Sequence, residues 1–118
     1  MTTARAPAWL DSLDSLLARH DDRLPKLDAL RRGILGADGA LDLDVRRAAF
    51  AGEPVPEPLQ GYVDKVRRHA YRVTDEDVAA LRAAGWSEEQ VFELTVAASV
   101  GAAFERLHAG LRALGEVD

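Results

Sequence analysis

The chain has 118 residues, 30% of them charged, with a formal net charge of −5 and no cysteine. At this length one domain is expected, able to bury about two thirds of the surface that the unfolded chain exposes, so no disulfide or metal staple is required. The lack of cysteine excludes disulfides, thiolate metal sites, thiol nucleophiles and cysteine redox chemistry in this chain, and the acidic balance argues against nucleic acid as a partner.

In chain order, the N-terminal stretch MTTARAPAWLDSLDSLLARHDD has its apolar residues interrupted by Asp11 and Asp14. It therefore has no signal-peptide core, and no segment reaches the length of a membrane span, so a cytoplasmic protein without membrane contact is expected. Trp9, Leu10, Leu13, Leu16 and Leu17 fit one amphipathic helix. Leu24, Leu27, Leu30 and Ile34 fit a second, starting near Pro25. GILGADGALD, Gly33 to Asp42, reads as a loop on its three glycines. Val45, Ala48 and Ala49 suggest a short helix before GEPVPEP, Gly52 to Pro58, whose alternating prolines demand extended or turning backbone. The next helix carries Leu59, Tyr62, Val63, Val66 and Ala70 on one face.

Two helix starts then follow in close succession. Thr74 is an N-cap before Asp75, Glu76 and Asp77, whose charges suit the positive end of a helix dipole. Ser87 opens SEEQ, a capping-box pattern with Gln90, which looks the stronger of the two. Val73 before the first cap and Trp86 before the second are placed to staple onto Val78 and Val91, and Gly85 suits the left-handed residue that ends a helix. From Val91 to Leu114 no proline intervenes. Leu94, Ala97, Gly101, Phe104, His108 and Leu111 form one stripe, and Val96, Val100, Ala103, Leu107, Gly110 and Leu114 form a second beside it. A helix apolar over so wide an arc is expected to be buried on two sides, in a bundle or at a subunit interface. The expected fold is thus all-α: a five- to six-helix bundle with a long buried C-terminal helix, assembled into an oligomer. It forms a single domain over residues 1–118, with N-terminal helices over 1–52 and a second helical part over 59–115.

The stretch YVDKVRRHAYRVTDEDVAALRAAGWSEEQVFELTVAASVGAAFERLHAGLRAL, Tyr62 to Leu114, resembles the C-terminal half of the alkylhydroperoxidase D-like and carboxymuconolactone decarboxylase-like superfamily. The resemblance covers a little under half of the chain, and its most specific part is VTDEDVAALRAAGWSEEQVFEL. It implies an all-helical fold that oligomerises through its helices. In the peroxidase branch the chemistry belongs to a C-x-x-C motif followed by a histidine, on a helix N-terminal to the matching part. Between Leu24 and Leu59 this chain has neither residue type, so the peroxidase reaction does not carry over. The decarboxylase branch needs no cysteine and asks for acid and base groups in a pocket.

Candidates for that chemistry are His108 on the apolar stripe, His69 at the edge of its helix's apolar face, and Glu93, which matches the glutamate of the family's E-x-x-x-E-L helix start. Each has a bland reading beside it: a core or interface histidine, a half-exposed surface histidine, and a carboxylate favoured by the helix dipole. Glu93 and His108 lie fifteen positions apart, about 22 Å along a helix, so they meet only across an antiparallel subunit contact. Lys65, Arg68 and Arg72, with Arg67 beside them, form a basic stripe for an anion, or a solvated face with internal acidic partners near Asp75 and Glu88. Asp38, Asp42 and Asp44 lack the ligand spacing of a calcium loop, and no metal site or cofactor is expected. Leu94, Ala97, Gly101, Phe104 and Leu111 are the expected subunit interface.

Two functions follow from this reading. The first is a non-redox binding or scaffold subunit, pairing with itself or with a related helical protein. The second is a cofactor-free lyase or isomerase acting on a small organic acid. The absence of an acid and a base within one helix turn favours the first.

Overall fold

A computed structural model describes residues 7–19 and 25–115, which form six α-helices and one 3₁₀ turn without a strand. The helices are α1 (Ala8–Arg19), α2 (Pro25–Ile34), α3 (Leu43–Ala51), α4 (Leu59–His69), α5 (Asp75–Ala83) and α6 (Glu88–Ala113), with the 3₁₀ turn Ala70–Arg72 between α4 and α5. Leu24 and the side chains of Leu16 and Leu17 lie outside the described residues. No helix among the described residues is long and apolar enough to cross a membrane.

Local chemistry accounts for the helix ends. Asp42 caps α3 by accepting a hydrogen bond from Asp44 N at 3.1 Å, and Gly52 closes it in the left-handed region at φ +81°. Ser87 and Gln90 form a reciprocal box, Ser87 N donating to Gln90 Oε1 at 2.9 Å and Gln90 N to Ser87 Oγ at 3.1 Å. The start of α5 is equally complete. Thr74 N donates to Asp77 Oδ2 at 2.8 Å while Asp77 N donates to Thr74 Oγ1 at 3.4 Å, so aspartate replaces the usual glutamate or glutamine. Gly85 lies between the two helices at φ +106°, where a Cβ would be strained.

The core forms around α6, which packs against α1, α2, α3, α4 and α5. Leu13, Phe50, Leu59, Val63 and Leu94 are its fully buried large side chains. The Phe50 ring lies between Trp9 and Phe104, with centroid separations of 6.4 and 5.7 Å. The closest approach is α3 on α6: a Cβ on Gly101 would fall inside the Phe50 carbonyl and 2.6 Å from its Cα. Residues before and after the proline segment therefore share one core.

Several expectations are corrected. Gly33 belongs to α2 rather than to the following loop. Leu30 is 44% exposed instead of lining the core, and Ala70 is exposed in the 3₁₀ turn. The C-terminal helix is buried on one side only: Leu94, Ala97, Gly101, Phe104 and His108 are covered, together with Val91, Ala98 and Ala102. Val96, Val100 and Leu107 of the second stripe are half-buried, Ala103 and Gly110 are exposed, and Leu114 is 78% exposed.

Candidate functional site

The three candidate acid–base residues occupy separate places, each with its own surroundings. Glu93 is a structural clamp. Its carboxylate accepts from Ala40 N at 2.8 Å and from Leu41 N at 3.0 Å, across more than fifty residues of sequence. Beside it lies Arg46, 3% exposed, whose Nε is 3.8 Å from the carboxylate. Arg46 Nε donates to Leu41 O at 3.0 Å and its Nη1 to Ile34 O at 2.8 Å. A buried guanidinium needs such partners, since an uncompensated charge in the interior is costly. Gly39 completes the arrangement, because a Cβ there would stand 2.7 Å from Glu93 Oε1 and 3.1 Å from the Arg46 guanidinium carbon. Arg46 was not singled out in the sequence. The first of the two arginines in DVRRAAF carries no mark of burial except its place on the apolar side of a short helix.

The basic stripe is broken up by the fold. Lys65 Nζ pairs with Asp77 at 2.9 and 3.1 Å, tying α4 to the cap of α5. This pairing and the cap hydrogen bond lower the Asp77 carboxyl from its ordinary value, Lys65 contributing most. Arg67, read from sequence only as a neighbour of the stripe, donates to the carbonyls of Ala49 and Phe50 at 3.0 and 2.8 Å and pairs with Glu105 at 2.6 Å. Burial lowers its guanidinium from its usual value, opposed by Glu105. Arg68 is exposed. Arg72 lies beyond the end of α4, in the 3₁₀ turn, with its guanidinium 5.5 Å from the centre of the Tyr71 ring. Lys65, Arg68 and Arg72 therefore do not share one anion-facing helix surface. The internal carboxylate for Lys65 is Asp77 rather than Asp75, and Glu88 faces Arg82 at 3.7 Å.

His69 is exposed, its ring edge-on to Tyr71 at 6.1 Å. His108 is 7% exposed, and its Nε2 has no hydrogen-bond partner among the described residues. It lines an open groove of about 750 Å³ between α1 and α6, with Trp9, Ser12, Glu105 and Arg112. Neither His69 nor Glu93 lines that groove.

The expected interface residues also move. Leu94, Ala97, Gly101 and Phe104 are covered by helices of the same chain, which leaves them no surface for a second subunit, and Leu111 is half-buried. What remains open is the other side of α6. Phe92, Val96, Val100, Ala103, Leu107, Gly110 and Leu114 follow one another at steps of three and four, without a charge among them. Phe92 is 66% exposed and Leu114 78%. Beside the N-terminal end of this face a second groove, of about 470 Å³, runs against α2, with Leu30, Ile34, Phe92 and Val96 as apolar walls and Asp38 and Glu89 in its lining. Comparison with known proteins places the chain beside none of them: no family model, no curated protein and no solved structure matches it.

Proposed function

We propose that the chain is a non-redox binding or scaffold subunit of a cytoplasmic oligomer, built on the alkylhydroperoxidase D-like helical plan that Tyr62–Leu114 resembles. The observation that carries this reading is the uncharged outer face of α6, from Phe92 to Leu114, left open while Glu93, Arg46, Lys65 and Arg67 are held in internal contacts. A long apolar face of this kind on an otherwise charged chain marks a contact surface. The partner is either a further copy or a related helical protein with a matching face. Light scattering on a sizing column tests the reading. A stable oligomer is expected, whereas a clean monomer that turns over a small organic acid would overturn it.

The lyase reading has one observation in its favour, the buried His108 with its free Nε2 beside the groove that also holds Arg112. Such an enzyme would use the imidazole as base and the guanidinium to hold a carboxylate. Under the subunit reading, His108→Gln and His69→Gln have no turnover to abolish, and screening small organic acids by release of carbon dioxide should give only the background rate.

A further inference from the structure

The open face of α6 is nearly symmetric about its middle. Ala103 has Ser99 and Leu107 four positions to either side, Val96 and Gly110 seven, and Phe92 and Leu114 eleven. Turning the helix end for end about Ala103 therefore lays these residues onto one another in register, with Val100 at the rim of the face falling opposite Arg106. It also places Leu107 over Ser99 and Val96 over Gly110, a larger side chain against a smaller one, while alanine meets alanine where the helices approach most closely. A two-fold contact requires this self-complementarity, since each residue must meet its counterpart twice.

The ends fit as well. In this register the partner's Leu114, 78% exposed in the single chain, arrives at Phe92, beside the groove walled by Leu30, Ile34, Phe92 and Val96. A protruding apolar side chain at one end of the face thus meets the apolar walls of a groove at the other, whose lining also holds Asp38, Arg46, Glu89 and Glu93, and the symmetry repeats the contact. Antiparallel pairing also opposes the two helix dipoles. A strip about 33 Å long and about 10 Å wide gives on the order of 350 Å² per chain. Stable interfaces use about 800 Å², so the seat of Leu114 against α2 has to contribute and the affinity is modest.

We infer that the partner of this face is a second copy of the chain, docked antiparallel along α6 about a two-fold axis at Ala103. The inference rests on the subunit reading above and deepens it. The chain's lack of cysteine makes the test clean, because every introduced thiol is the sole one. Single-cysteine variants of the full chain are oxidised at micromolar concentration and resolved without reductant. Ala103→Cys should give a cross-linked dimer. Phe92→Cys and Leu114→Cys should cross-link when mixed and not separately, and Ala109→Cys, exposed on another side of α6, should remain single. The native mass should rise toward twice 12.8 kDa across the micromolar range. Ala103→Arg, an exposed substitution, should hold the mass at one chain with unchanged helical circular dichroism. Self-linking of Phe92→Cys, the mark of parallel pairing, overturns the register. An oligomer untouched by Ala103→Arg overturns the face and leaves the subunit reading standing. A monomer for the unaltered chain at every concentration overturns the self-docking and leaves, of the subunit reading, only the pairing with a related helical protein.

Discussion

Glu93 shows how one side chain supports opposite readings until its neighbours are known. Its position in the helix start fits an acid–base group, yet its carboxylate is spent on Ala40 N, Leu41 N and Arg46. These partners lie on another element, and helical spacing carries no information about contacts at that distance in sequence. Glu93→Gln removes the counter-charge of Arg46 and turns an amide N–H toward backbone donors, and it should cost about 2 kcal/mol in urea unfolding. Gly101 is the sharper case. It was placed on the apolar stripe and in the expected subunit contact; the backbone it admits is that of Phe50 in the same chain. Gly101→Ala forces backbone apart rather than a flexible side chain, and about 3 kcal/mol or more should be lost in the same measurement.

At the level of the element, the helix boundaries were the most legible part of the chain, because caps depend on residues three positions apart. Ser87 with Gln90 and Thr74 with Asp77 were both read as starts, and only the reciprocal role of Asp77 was missed, since aspartate is shorter than the residues that usually fill that position. Ser87→Ala should lower stability by about 1 kcal/mol through an unmet N–H at the start of α6. Asp77 adds a pH dependence whose sign is set by its lowered pKa. Because its folded pKa lies below the unfolded value, its stabilising contribution is complete above the ordinary carboxylate pKa and fades as pH falls through the depressed one. The difference in Tm between the unaltered chain and Asp77→Asn should thus be constant near neutrality and shrink below about pH 4. The width of the buried face of α6 was misjudged for a different reason: hydropathy reports which residues are apolar, not whether the covering surface lies in the same chain.

Over the whole molecule, the all-helical class, the long last helix and the single core follow from pattern and length. The assignment of faces to neighbours required the fold, because α1, α2 and α3 reach α6 across the proline segment. The exposed apolar side of α6 sets an expectation for the intact protein: solubility and mass should respond to concentration more than to salt, as an uncharged contact is little screened. Raising sodium chloride from about 0.1 to about 0.5 M should change the dissociation constant less than tenfold, measured by sedimentation equilibrium.

The position of α6 against all five other helices bears finally on how the chain opens. A bundle whose neighbours touch one another can shed a peripheral helix and keep a core; this one has its core organised around a single rod. Removing α6 takes away Leu94, Ala97, Phe104 and their shared contacts with Leu13, Phe50 and Val63 at once. Amide protons along the middle of α6 should therefore exchange with solvent deuterium only when the entire chain unfolds, while those of α2 and the Ala70–Arg72 turn exchange through smaller openings.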